Sequence, residues 1–162
     1  MLKEKIQDAL NLQINKELFS AYLYQSMSAD FAAKNFDGAA GWMAKQAGEE
    51  VEHAQRIYKH IIERGGKVVL KAIDAPKTSW KSHLDAFEEA YAHEQMVTDS
   101  INKIVDLAQA EKDHATASFL QWFVDEQVEE EDQTSAIVEK LKMIKDAPGA
   151  LFMFDAHLGR RE

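Results

Sequence analysis

Glu50 and His53 stand three residues apart in the segment EEVEH, a spacing that sets a carboxylate and an imidazole on one helix face. Four more residues of the same character are spread along the chain: Glu17, Glu94, Gln127 and Glu130. Oxygen donors with a single imidazole suit iron, manganese or zinc better than copper, and the lack of sulfur donors disfavours soft metals. With no cysteine, the chain can make neither thiolate metal sites nor disulfides nor a thiol nucleophile. It also shows no glycine-rich phosphate loop and no Ser-His-Asp set.

These residues can act together only if the elements that carry them converge. Seven residues are nearly two helical turns, so positions seven apart lie almost in line. One row joins Leu10, Glu17, Tyr24 and Phe31, and a second joins Met43, Glu50 and Ile57. A third joins Phe87, Glu94, Ile101 and Ala108. Two neighbouring rows follow: Leu120, Gln127, Thr134 and Leu141, then Phe123, Glu130, Ile137 and Ile144. Each apolar stripe is thus interrupted by a polar group near its middle. Taken singly, each such Glu reads as a stripe-edge residue reaching to water. Taken together, long antiparallel helices bring their midpoints to one level. No Lys or Arg occupies these rows at that level, so four buried carboxylates need raised pKa values or metal cations.

The helix pattern is strong. Only Pro76 and Pro148 interrupt a chain rich in Ala, Leu, Glu, Lys and Gln. The pattern predicts helices over about 2–34, 38–64, 82–111 and 116–145. Breaks fall at NFDG, at Gly65-Gly66, at EKDHAT and at DAPG. The stretch GGKVVLKAIDAPKTSW has no helical period, and KVVLKA is the one candidate strand. Short links make the first and second pairs antiparallel. The long central link can cross the bundle and leave helices two and three parallel. The fold class is all-α, a four-helix bundle over about 2–145 with a short fifth helix over about 148–158, in one domain spanning 1–162.

Composition narrows the function. The 162 residues carry 28 acidic against 19 basic side chains, a formal charge of −9. That balance argues against nucleic-acid binding and is compatible with cation binding. No apolar run approaches the roughly 18 residues of a membrane span, and MLKEKIQDAL is too charged for a signal peptide. A cytoplasmic location is expected.

Glu17, Glu50-x-x-His53, Glu94 and Gln127-x-x-Glu130 resemble the dinuclear ferroxidase centre of ferritins, in particular the non-haem bacterial and archaeal ferritins. The resemblance covers essentially the whole chain. It implies a first iron held by Glu17, Glu50 and His53, with Glu50 bridging to a second iron held with Glu94 and Glu130. Gln127 would sit beside the pair. Tyr24 and Trp122 match aromatics that neighbour the centre, although core packing explains either one as well. Glu49, Glu126, Glu129 and Glu130 match a third iron site just inside the shell of similar ferritins, whereas an acidic run is ordinarily a solvated face. Val51 stands where bacterioferritins place a haem-ligating methionine, so no haem is expected.

The function implied is Fe(II) oxidation by O₂ or H₂O₂ and storage of ferric mineral in a hollow homo-24-mer. The alternative is a di-iron redox enzyme such as a peroxidase. For the shell, the residues themselves offer supporting features. Leu151, Phe152, Phe154 and Leu158 make the tail too apolar to hang free. They would either line a four-fold channel, as in ferritins, or dock on their own bundle. KVVLKAI could meet its copy across a two-fold axis. Asp113 and His114 could line a route for iron at the three-fold axes.

Overall fold

The computed structural model describes residues 1–145 and 147–161. Five helices account for the regular structure: α1 (Glu4–Ala33), α2 (Asp37–Glu63), α3 (His83–Ala110), α4 (His114–Ile144) and α5 (Pro148–Leu158). None of them is long and apolar enough to cross a membrane.

Helix ends follow local chemistry. After α2, Gly65 takes φ +70°, its N–H bonds to Ile62 O and the Gly66 N–H to Ile61 O. This is a Schellman cap. The same pair of bonds ends α1 around Asn35 (φ 62°) and α3 around Lys112 (φ 54°). Ser82 caps α3 by accepting from Asp85 N, and Asp113 caps α4 by accepting from Thr116 N.

The link 65–82 explains the direction in which α3 runs. Its contacts advance along α1 in the chain direction, from Gln7 at Lys67, through Asn11 at Lys67 and Val69, to Asp30 and Lys34 at Trp80. Thirteen extended steps reach about 43 Å, and the 23 helical steps from Gln7 to Asp30 span about 35 Å. The link therefore runs the length of α1. α3 begins beside the C-terminal end of α1 and runs back against it, as Tyr24 meeting Glu94 and Gln13 meeting Ser100 require. α2 and α3 are parallel, as the crossover predicts.

KVVLKA is not a strand; among the described residues there is no strand at all. Side-chain amides of α1 take the place of a neighbouring strand. Asn11 donates to Lys67 O (3.0 Å) and accepts from Val69 N (2.9 Å), and Asn15 donates to Ala72 O (3.0 Å). Part of the link's backbone is thereby hydrogen-bonded without a ladder.

The core is divided. Tyr24, Met27, Phe31, Trp42, Met43, Phe87 and Leu141 belong to one apolar cluster. Ile6, Leu10, Ile14, Ile57, Ile61, Ile101, Leu120 and Phe123 belong to the other. Every member of the five heptad rows is buried except Ile144, which is half-buried. A polar layer separates the two clusters.

α5 docks on its own bundle. Phe154 and Leu158 are buried against the first cluster, while Phe152 and Met153 remain exposed. The carboxylate of Asp155 accepts from Gly38 N (3.0 Å) and Ala39 N (2.8 Å), capping α2 from a distant part of the chain. A Cβ on Gly38 would meet Asp155 O at 1.7 Å, so only glycine admits this approach.

Candidate metal centre

Glu17 comes from α1, Glu50 and His53 from α2, Glu94 from α3, and Gln127 and Glu130 from α4. None of the six is more than 3 % exposed. Five of them occupy the polar step of a heptad row and His53 lies one turn from Glu50, so the periodicity that buries the leucines and isoleucines also carries the acids inside.

Glu17, Glu50 and His53 each turn a ligand atom to within 4.8 Å of the others. His53, Glu126 and Glu130 form a second such group. His53 Nδ1 lies 3.3 Å from Glu50 Oε2, and its Nε2 lies 3.9 Å from Glu126 Oε1. Glu94 joins neither group. Its carboxylate accepts from the Tyr24 hydroxyl and from Gln127 Nε2 (3.2 Å), which also reaches Thr98 Oγ1. Tyr24 therefore stands directly on a candidate ligand. Trp122 sets its ring edge-on to His53 at 5.4 Å and carries the Arg56 guanidinium on its face at 3.8 Å.

Burial dominates the electrostatics. It pushes Glu17 up to about 8, with the nearby Glu50 adding to the rise. Glu50 is raised well above the carboxylate range by burial and then by Glu94 and Glu130. Glu130 is pushed up to about 7 by burial and by Glu94, and burial raises Glu94 as well. Burial likewise pushes His93 down to about 4; its Nε2 is 2.7 Å from Ser20 Oγ and its ring is edge-on to Tyr24.

Two residues outside the heptad rows hold the candidate ligands in place. Gln13 Nε2 donates to Glu17 Oε1 (2.8 Å). Gln46 Nε2 donates to Glu130 Oε2 (2.7 Å) and to Glu50 Oε1 (3.3 Å). Each glutamine lies four residues before a candidate ligand on the same helix face, which is the signal that would have found it. Glu17 Oε2 is buried without a hydrogen-bond partner. An orphaned carboxylate oxygen, facing acids with raised pKa values and one imidazole, fits a hard or borderline cation.

The residues expected at a third site divide. Glu126, about a quarter exposed, joins His53 and Glu130; Glu49, exposed to the same extent, joins neither ligand group although its charge is felt at Glu130; Glu129 is exposed and also joins neither. Glu49 has a partner that the helical pattern did not supply. Arg161 Nη2 lies 2.6 Å from Glu49 Oε2, and Arg161 Nη1 donates to Gln46 Oε1 at 2.9 Å. Asp113 does not stand free to meet iron: its carboxylate is taken by Arg64 (2.9 Å) and by Thr116.

Comparison with known proteins places the geometry in context. The family pattern described as a ferritin-like domain matches residues 7–144. A bacterial non-heme ferritin of Bacteroides fragilis is 45 % identical over 161 residues, covering 99 % of this chain and 100 % of that one. One from Staphylococcus aureus is 38 % identical over 161 residues, covering 99 % and 97 %. A crystal structure described as a novel open pore ferritin from the hyperthermophilic archaeon Archaeoglobus fulgidus superposes with a TM-score of 0.99 at 46 % identity, over the whole of both chains.

Proposed function

The chain belongs to the ferritin family, and from that membership we propose that it oxidises Fe(II) at the buried carboxylate layer and stores the ferric product in a shell of twenty-four copies. The observation that carries this reading is the layer itself. Four glutamates with raised pKa values sit between two apolar clusters, one of them with an orphaned oxygen. Such a layer is costly unless cations enter it.

Iron is the substrate. Glu17, Glu50 and His53 hold one Fe(II), and Glu50, Glu94 and Glu130 hold the other, with Gln127 beside them. Each Fe(II) gives one electron to O₂; with two protons the pair of electrons yields H₂O₂ and two Fe(III). The protein's part is arrangement. Gln13 and Gln46 fix the carboxylates of Glu17, Glu50 and Glu130 by amide donation. Tyr24 and Gln127 fix Glu94. Metal displaces protons from the acids, because the ligands must be ionised to bind. The apolar clusters on either side keep water from competing for the cations.

The shell reading has support in the exposed apolar side chains of the isolated subunit. Val69 and Leu70 on the crossing link, and Phe152 and Met153 on α5, are exposed in the single chain and suit contacts between copies.

The test is aerobic oxidation of Fe(II) by metal-free protein at about two irons per subunit, beside Glu50→Ala, followed by size separation. Fast oxidation lost in the variant, with iron in a shell-sized particle, supports both parts. Equal rates in the two proteins would sink the dinuclear assignment. Oxidation without retained iron would favour a di-iron redox enzyme.

A further inference from the structure

We propose that Arg161 is a tethered counter-cation, which holds the inner acidic position at Glu49 closed while that position carries no metal and must be displaced for a cation to bind there. The proposal rests on the dinuclear reading above for its biological sense, but its geometry stands on its own.

The guanidinium is held on three sides. It lies 2.6 Å from Glu49 Oε2, donates to Gln46 Oε1 at 2.9 Å, and stacks over the Trp42 ring at 4.4 Å. Its side chain is only 16 % exposed. A planar cation with a carboxylate, an amide oxygen and an aromatic face is in a fitted place, not a loose surface pairing.

That place adjoins the candidate ligands. Gln46, whose oxygen takes the guanidinium, turns its amide nitrogen to Glu130 and Glu50. The charge of Glu49 is felt at Glu130. Glu49 thus stands at the border of the candidate layer, with Arg161 already on it. A guanidinium on Glu49 neutralises its charge and repels a second cation at the same carboxylate, so metal binding there and the Arg161 contact oppose each other.

The tether makes exchange cheap. α5 is anchored by Phe154, by Leu158 and by the Asp155 cap on α2. Arg161 lies three residues past the end of that helix, in Gly159-Arg160-Arg161. Turning a few bonds after Gly159 swings the guanidinium away and leaves the docking of α5 intact.

The experiment is calorimetric titration of the assembled, metal-free protein with Zn(II), which is redox-inert, with tryptophan emission followed in parallel. Wild type, Arg161→Gln, Arg161→Lys and the double variant Arg161→Gln/Glu49→Gln are compared. In Arg161→Gln the Glu49-dependent ion binds about tenfold more tightly than in wild type. Arg161→Lys restores weak binding, and the double variant loses this ion. In wild type the same ion changes the emission of Trp42, a change absent in Trp42→Phe. Unchanged or weaker binding of the Glu49-dependent ion in Arg161→Gln would overturn the proposal, as would no Glu49-dependent ion in any of the proteins. The two ions expected at the buried layer are read separately. Their absence would sink the dinuclear reading, while a Glu49-dependent ion that tightens in Arg161→Gln would leave the Arg161 proposal standing.

Discussion

Glu49 and Glu50 are neighbours in the chain, and the bundle treats them in opposite ways. One residue of helix turns the side chain by about 100°. Glu50 therefore enters the layer between the apolar clusters, and Glu49 lies along its border. Glu50 meets one amide, an imidazole and other acids, and burial and those acids raise its pKa. Glu49 meets Arg161. The chain thus supplies a cation of its own where the acid is partly hydrated, and none where it is buried. A permanent buried ion pair would fill the centre; acids without a paired base keep it available to visiting cations.

The sharpest way to break this contrast is to remove each member in turn. Glu50→Ala is expected to slow aerobic Fe(II) oxidation about 1,000-fold. Glu49→Ala should lower it only a few-fold, since Glu49 lies at the border of the layer and joins neither candidate ligand group. Stopped-flow absorbance of the ferric product separates the two.

Next in size is the dependence of metal-free stability on pH. The carboxyl groups of the layer have folded-state pKa values above the ordinary 4.5, with Glu17 at about 8 and Glu130 at about 7. A group raised in the fold stabilises fully below its unfolded pKa and loses that contribution as pH rises through the folded value. Thermal stability of the metal-free protein should therefore fall by a few kcal/mol between about pH 4.5 and 8. Saturating Zn(II) should cancel the fall, because it binds the ionised form. A flat profile without metal would show that the layer is more hydrated than its burial indicates.

Gln46→Leu comes third. It removes the amide donor of Glu50 and Glu130 and also an acceptor of Arg161. Metal affinity at the buried layer should drop about 10- to 100-fold, measured by competition with a chromophoric chelator. Gln13→Leu should affect Glu17 alone, and by less.

The smallest effect lies outside the layer. Lys112 holds φ 54° in the cap after α3, a conformation that glycine adopts without steric cost. Lys112→Gly should stabilise the chain by about 0.5–1 kcal/mol and leave metal binding unchanged. Chemical denaturation alongside zinc titration would check both.

Much of this was readable from the residues. The heptad rows named the buried faces because burial and helical period are the same information. Helix ends fell within about two residues where a local signal existed, as at Gly65, Asn35 and Ser82. What could not be read depends on distant partners. Asp155 caps α2 from more than a hundred residues away, and Arg161 reaches Glu49 across a similar separation. KVVLKA has strand-like residues, but side-chain amides of α1, and not a neighbouring strand, hold it against the bundle. Asp113 carries a charge that seemed free for iron, yet Arg64 lies one helix away to neutralise it. None of these partners has a period or a spacing that announces it.

The most direct test of the buried layer is anomalous diffraction from crystals of the protein loaded with Fe(II) without oxygen. Two peaks per subunit are expected, one among Glu17, Glu50 and His53 and one among Glu50, Glu94 and Glu130. Iron found only along Glu49, Glu126 and Glu129, with the buried carboxylates free of metal, would contradict the assignment.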